Sequence, residues 1–407
     1  MTQVRPTSTK RPPAVILGGL YPTFSVARSL GSRGIDVHGL GESGNTLLSR
    51  SRFVTSFTPA PDDVDERWRK WFTAGPRGSV VLPCGDLGLE FIARNRAWLE
   101  DLGYLPVEGN DPITLAMLDK GRTYELAEAA GVDVPRTAQV DSVADLERVA
   151  DTFEYPCALK PRDSFHFNEL FAQKAIVVHS SDDLREAFER LRPTGFDMLV
   201  TEIVASAENE LYEFPSYYTY LDERGEPLFH FTKRKLRQYP LGWGTGTYHV
   251  SKWDPRVAEA GLAFAQGVGV RGIANVEFKL DRRDNRLKLI ECNPRPTASD
   301  KLCQLAGLDL AWIAYRRAVG ETVEPIGGFR DGVRQWNPPR DFLAFLEGRR
   351  AGSISTGSWL RSLAHRQHLP TFDVRDPGPT IALWKLVAYR ALTYPIRARQ
   401  IRARQRR

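Results

Sequence analysis

The sequence has little cysteine: four residues in 407, at positions 84, 157, 292 and 303. They are scattered and form no CxxC pair. That argues against a zinc site or a disulfide framework and suits a reducing cytoplasm. No stretch approaches the ~20 apolar residues that span a bilayer. The opening MTQVRPTSTKRPP has basic residues but no apolar run behind them, so it does not read as a signal peptide. Residues 1–12 read instead as a disordered lead. There is no GxGxxG, so a dinucleotide claim has no support. No Ser-His-Asp or Cys-His nucleophile is evident. Acids are absent from the end of the chain: none follows Asp376, while 377–407 holds eight lysines and arginines. The net charge of +6 less those eight leaves about −2 for the rest. The body is therefore no basic nucleic-acid binder.

What is present is an ordinary globular balance, 42% hydrophobic and 26% charged. The length calls for two or three domains. AVILGG (14–19) reads as a buried strand ending in glycines, followed by a helix with Pro22 near its start and Gly31 and Gly34 past its end. IDVHGLG and SVVLPCGD read as further strands, and LGLEFIARNRAWLEDLG as a helix closed by Gly103. This alternation predicts a parallel α/β domain over 13–116. LDKGRTYELAEAAGVDVPRT, DSVADLERVADTF and SSDDLREAFERL predict helices, with CALKP and AIVVH as strands, in an α+β unit over 117–197. Ser142 and Asp145 have capping-box spacing. From 198 the pattern turns to antiparallel hairpins, with a helix at 255–268, up to 322. The extension 323–407 is rich in Gly, Pro and Arg, with a helix over 380–393.

One stretch has no place in an ordinary core strand: LIECNPRPTAS (289–299). In ANVEFKLD, alternation puts Val276, Phe278 and Leu280 on one face and Asn275, Glu277 and Lys279 on the other. In RLKLIECN, Glu291 and Asn293 share a face, about 6–7 Å apart along the strand, and Cys292 points away into packing. If the strands are neighbours, Glu277, Glu291 and Asn293 converge. Two carboxylates and an amide oxygen are hard ligands suited to Mg²⁺. Spacing alone leaves a second reading open, a hairpin with solvated charges.

Five segments, in this order, resemble the ATP-grasp superfamily: LDKGRTYELAEAAGVDVPRT, YPCALKP, LVTEIVASAENELY, KRKLRQYPLGWGTGT and NVEFK…IECNPR. That superfamily includes D-alanine–D-alanine ligase, biotin carboxylase and the carbamoyl-phosphate synthase large subunit. The similarity runs from about residue 13 to 320 and leans towards the carboxylate–amine ligases, D-aspartate ligases among them. It implies a Rossmann-like pre-ATP-grasp domain (13–116), a first ATP-grasp subdomain (117–197), a second one carrying metal and phosphate groups (198–322), and an added C-terminal extension. It also implies ATP and Mg²⁺ as cofactors, with Mn²⁺ as the alternative ion, held by Glu277, Glu291 and Asn293.

Other roles carry over by position. Lys120 resembles the lysine that touches the nucleotide phosphates. Lys160, ending a strand, suits a phosphate oxygen because a buried ammonium needs a partner. Glu202 and Ile203 resemble the hinge that reads the adenine edge. Glu210 resembles the ribose-binding acid, with Glu208 as its competitor. Lys233, Arg234, Lys235 and Arg237 read as a phosphate clamp or as a solvated basic edge. Of these, Lys235 is assigned a catalytic role and Arg237 a nucleotide contact. Gly242, Gly244 and Gly246 would let the backbone approach a ligand. Arg295 resembles the arginine that holds the acyl-phosphate or carboxylate. Gly18-Gly19 and Asp86 are open between tight turns and substrate contacts. One departure is the loop 162–174, which has no glycine where many relatives carry a glycine-rich lid; His166, Asn168 or Lys174 would have to replace its donors.

The implied activity is an ATP-dependent ligase: a carboxylate becomes an acyl-phosphate, which an amine converts to an amide. Two alternatives stand beside it, a bicarbonate-using carboxylase and a non-catalytic ATP-binding module. The partners are a small carboxylate and a small amine, with room for an oligomer and with no nucleic acid expected for the body. The chain is expected in the cytoplasm. Its basic tail reads either as a solvated end or as a segment that touches nucleic acid or an anionic membrane surface.

Overall fold

The computed structural model describes residues 11–388 apart from 44–45, 61, 163–166, 168–174, 205–213 and 243. Fifteen strands form three sheets among these residues. The first sheet is wholly parallel: β1 (Ala14–Leu17), β2 (Val37–Leu40), β3 (Ser56–Thr58), β4 (Val80–Pro83) and β5 (Leu105–Pro106), in the order β3-β2-β1-β4-β5. β1 and β4 are buried along their whole length because helices cover both faces. The helix Tyr21–Gly31 has Pro22 in its first turn, where a missing N–H costs nothing, and Gly34 turns the chain at φ +77°. The sequence reading passed over β3 and the helix Val64–Ala74, which crosses between β3 and β4.

The second sheet is small and antiparallel: β6 (Thr137–Val140), β7 (Cys157–Pro161), β8 (Ile176–Val178) and β9 (Met198–Glu202), ordered β6-β9-β7-β8. Two amphipathic helices, Val143–Ala150 and Ser181–Leu191, close its apolar side through Leu146, Leu184 and Phe188. Ser142 caps the first of them by accepting from the Asp145 amide.

The third sheet has six antiparallel strands. They are β10 (Phe214–Leu221), β11 (Phe231–Tyr239), β12 (Thr245–Ser251), β13 (Gly272–Asp281), β14 (Arg286–Asn293) and β15 (Arg334–Trp336), in the order β14-β13-β10-β11-β12-β15. The helix Pro255–Gly267 packs on one face, with Phe264 and Val257 meeting Val276, Phe278 and Cys292. On the opposite side, Tyr218, Tyr220 and Phe231 join one continuous core with Ile16, Leu82 and the helix Leu310–Ala318 of the neighbouring layer. The parallel and six-stranded sheets are therefore held together by shared apolar packing.

The extension contributes β15 and the helices Pro338–Arg350 and Thr356–Ser362, then runs helical from 378 to 388. The remainder of the helix expected over 380–393 and most of the basic tail lie outside the described residues. No helix among the described residues is long and apolar enough to cross a membrane.

Candidate active site

β13 and β14 are hydrogen-bonded neighbours. Their register sets Glu277 opposite Glu291 and Asn275 opposite Asn293. Directly opposed residues of an antiparallel pair share a face. The two carboxylates and both amides thus point together, while Val276, Phe278 and Cys292 are buried on the other side. A register shift after Glu277 absorbs one residue of β14 without breaking this grouping.

Cations stand close to both acids. Lys120 Nζ lies 3.4 Å from Glu291 Oε2 and Lys235 Nζ lies 3.4 Å from Glu277 Oε2. Asn293 Nδ2 donates to Glu291 Oε1 at 3.2 Å. Burial pushes the Glu277 carboxyl up, but Lys235 and Lys233 outweigh it and hold the group below the ordinary range. Among the described residues no cluster of three or more His, Cys, Asp and Glu forms a metal site. The donor set here is two glutamates plus an asparagine amide, an all-oxygen set of the kind a hard divalent cation prefers.

The acids form one wall of a cleft of about 220 Å³. Its other walls come from the small sheet, through Lys160 and Thr201, and from Ile203 and Val204 just after β9. Lys160, at the end of β7, is buried and donates to Tyr124 Oη at 2.9 Å. Burial, and next the nearby Lys120, draw its ammonium well below the usual lysine range, with Glu291 opposing them. Both lysines face the cleft beside Glu291. Pro135, Ile203, Val204, Phe214 and Ile290 supply apolar walls suited to a flat ring. Gly244 is required where it stands: a Cβ there would meet the Tyr239 carbonyl carbon at 2.0 Å.

Several residues singled out from the sequence are placed differently. Glu202 lines the cleft, but its carboxylate accepts from Lys288 Nζ and Arg283 Nη2, both at 2.6 Å, and from the Arg136 amide at 2.9 Å. Burial raises this carboxyl, and those bonds more than reverse the effect. The Glu202 side chain is thus already engaged, while Ile203 and Val204 beyond it line the cleft.

Arg237 is not brought to the cleft. Irregularities in the β11–β12 pairing fall on both sides of it. They turn it away from the face of Lys235, and it forms a buried two-pronged pair with Asp341. The sequence reading placed Arg237 at the nucleotide as part of the basic stretch 233–237, which takes no account of such irregularities. Arg295 is held by Asp86, at 2.6 Å from Nη2 and 2.7 Å from Nε, bridging the chain after β14 to the turn after β4. It is absent from the lining of the cleft. Glu208, Glu210 and most of the 162–174 loop, with His166, Asn168 and Lys174, lie outside the described residues.

Sequence reasoning gave no role to Tyr124, Phe214 or Lys279. Lys279 shares the Glu277 face, donates to the Val204 carbonyl at 2.6 Å and lies over Phe214 at 5.2 Å. Alternation had already put Lys279 on that face; its spacing from Glu277 was the available signal.

This fold has known relatives. Residues 252–326, which include β13 and β14, match the family model of the carbamoyl-phosphate synthase L chain, ATP binding domain. The carbamoyl phosphate synthase large chain of Micrococcus luteus is 25% identical over 264 residues, which are 62% of this chain and 22% of that protein. The chain therefore spans under a quarter of the length of such relatives. The biotin carboxylase domain of Hydrogenobacter thermophilus 2-oxoglutarate carboxylase superposes with a TM-score of 0.62 at 17% identity, covering 79% of this chain and 73% of that one. The L-amino acid ligase of Bacillus licheniformis gives 0.59 at 16% identity, covering 78% and 79%. The chain thus shares its fold with these structures, and the segment that carries its two acid-bearing strands matches the ATP-binding domain model.

Proposed function

We propose that this protein is an ATP-dependent ligase that activates a carboxylate as an acyl-phosphate and joins it to an amine. The single observation that carries the reading is the register pairing Glu277 with Glu291 at the wall of a lysine-lined cleft, with Asn293 bonded to Glu291 beside them. The solved relatives support it: the carboxylase domain was determined with MgADP and bicarbonate, and another relative is an amino acid ligase. The 13–116 domain is read as Rossmann-like, in keeping with its strand order of 3-2-1-4-5.

In this reading Glu277, Glu291 and Asn293 would hold Mg²⁺, which would supply charge neutralisation at the terminal phosphates. Ile203 and its neighbours hold the base. Lys120, Lys160 and Lys235 neutralise the phosphoryl oxygens as a carboxylate oxygen bonds to the γ-phosphorus and ADP leaves. An amine then bonds to the acyl carbon, phosphate departs, and the nitrogen gives up its proton. The chain's own task is positioning and electrostatics, as in other phosphoryl transfers. Arg295 serves this step only by leaving Asp86 for the acyl-phosphate.

A second reading, carboxylation through bicarbonate, is favoured by the bicarbonate complex of the carboxylase relative. A phosphate-release screen of small carboxylates and amines, singly and in pairs, separates the two. Strict dependence on an acid and an amine together supports the ligase; bicarbonate-dependent ADP release without an added acid supports the carboxylase. We also read the protein as cytoplasmic, with a basic tail able to rest on anionic lipid. Vesicle sedimentation with and without residues 378–407 tests that, and equal sedimentation removes the idea.

A further inference from the structure

Among the described residues, five of the nine buried polar atoms without a hydrogen-bond partner lie in one sheet. Ser216 Oγ, His249 Nδ1, Asn275 Nδ2, Asn275 Oδ1 and Gln335 Oε1 all belong to the six-stranded sheet. The register puts them on one face, the face of the two acids. Glu291 opposes Glu277, Glu277 opposes Ser216, and Ser216 opposes Lys233. Alongside, Asn293 opposes Asn275 and Asn275 opposes Tyr218. Further on, Lys235 opposes His249 and His249 opposes Gln335. A polar row thus leaves the acids and crosses to β15, the strand contributed by the C-terminal extension.

Lys233 is the cation of this row. It is 1% exposed, and its short-range partner among the described residues is the ring of Tyr218, 5.5 Å away. It does not line the nucleotide-sized cleft, unlike Lys120, Lys160 and Lys235. The segment that follows the acids roofs the row: Gln335 Nε2 donates to the Ala298 carbonyl at 2.8 Å, and Tyr218 Oη is 2.7 Å from Thr297 Oγ1. A folded chain gains nothing by burying amides and a hydroxyl without partners beside an ammonium balanced, among the described residues, only by the Tyr218 ring and the acids. Where native chains do so in a cluster, a ligand or ordered water is the usual partner.

We propose that this row is the recognition pocket for a small substrate that carries a carboxylate, with Lys233 taking the carboxylate, Ser216 and Asn275 donating to it, and His249 and Gln335 reading the polar remainder. The inference rests on the ligase reading and gives that reading a substrate class. The backbones of Lys233 and Glu277 stand two strand spacings apart, ~10 Å. In this proposal the carboxylate held by Lys233 is a recognition group, and the reacting group lies towards the acids. An amino acid or a small dicarboxylate has those dimensions.

The test uses the full chain saturated with a non-hydrolysable ATP analogue and magnesium. Binding is measured calorimetrically for amino acids, small dicarboxylates, the corresponding amides and esters, and inorganic phosphate. The expected result is that at least one free carboxylate binds and that its amide or ester binds at least ~10-fold more weakly, the loss of a charge-assisted hydrogen bond. Lys233→Met should bind the carboxylate as weakly as the parent binds the amide, with no further loss on amidation. Gln335→Leu should weaken binding while leaving the charge preference in place. Nucleotide affinity in both variants serves as the check on folding. Full carboxylate affinity in Lys233→Met overturns the proposal. So does phosphate competing as well as the carboxylate, or a nucleotide complex whose row holds ordered water only under saturating carboxylates. If nucleotide binds but no carboxylate does, this pocket fails while the ATP site stands. If nucleotide itself fails to bind, the ligase reading falls and takes the pocket with it.

Discussion

Lys235 and Arg237 stand two residues apart on β11, and their surroundings could hardly differ more. Arg237 is 4% exposed and meets Asp341 through two bonds of 2.7 and 2.9 Å, with a third bond to Ser362 Oγ. Asp341 also accepts from Thr247 Oγ1, Trp336 Nε1 and Trp359 Nε1, all within 3.0 Å. Every lone pair is used, and the arrangement ties the C-terminal extension to the sheet. Lys235 has one contact with an acid, at 3.4 Å, and Lys120 has a matching one with Glu291. Those two bonds are long, and they face a cleft. Saturated charges hold the chain together; loosely paired charges are free to exchange partners when an anion or a cation arrives.

The largest effects should separate these two environments. Glu291→Ala is expected to reduce ATP turnover to background with an unchanged unfolding transition, since the residue packs into no core. Activity near that of the parent in the purified variant would refute the metal-holding role. Asp341→Ala is expected to behave the other way. It strands a buried guanidinium and should cost about 3–5 kcal/mol of stability by urea denaturation. Any remaining folded fraction should still bind nucleotide. If Asp341→Ala kept parental stability, the division drawn between the two regions would collapse.

The same contrast explains what the sequence could and could not reveal. Alternation works where strands are regular, and β13 is regular: Asn275, Glu277 and Lys279 share a face, the last two lining the cleft, while Val276 and Phe278 point the other way. Glycine turns and caps were equally readable, as at Gly34, Gly103, Gly131 and Ser142. Alternation fails at an irregularity, because one residue out of step reverses every later side chain. Nothing local in KRKLRQY marks the shift that sends Arg237 to Asp341, more than a hundred residues away. β15 escaped notice for a related reason. Three residues, RQW, carry no period, and their strand character comes wholly from pairing with β12. Glu202 shows a third limit, since its partners Arg283 and Lys288 are distant in sequence and meet it only through the fold.

A smaller effect distinguishes one buried acid, Asp300, from the acid face by pH. Asp300 is fully buried at the start of the helix Asp300–Ala306, with Gln304 Nε2 at 3.2 Å. Burial, reinforced by the charge of Asp309 and opposed by Ser25 and Lys301, raises its carboxyl to about 7. Unfolded, the group would titrate near ~3.9. The folded chain therefore binds the proton more tightly, and stability falls as pH rises from about 4 to about 7. Asp300→Asn should remove that slope. The variant should match the parent at pH 4 and exceed it in urea midpoint at pH 8. A parallel shift at both values would mean that packing, not the proton, governs the site. Glu277 has the opposite sign, since Lys235 and Lys233 favour its ionised form.

The smallest effect comes from Glu291's own neighbour. Cys292 points the other way from the same strand, 3% exposed among Val276, Phe278 and Phe264. Burial, and after it the charge of Glu291, push its thiol far above the range in which a thiolate forms. It is a small apolar group with no chemistry to offer the cleft. Cys292→Ala removes one sulfur from a packed layer and should cost about 1 kcal/mol by urea denaturation, the lower range for a small core truncation. ATP turnover per folded molecule should be unchanged, and a thiol-alkylating reagent should leave the folded parent untouched. Adjacent residues with a total loss of activity on one side and a packing cost on the other would show how sharply this strand divides its two faces. Rapid alkylation, or a turnover defect in Cys292→Ala as deep as that of Glu291→Ala, would place the thiol in the cleft and undo the register argument itself.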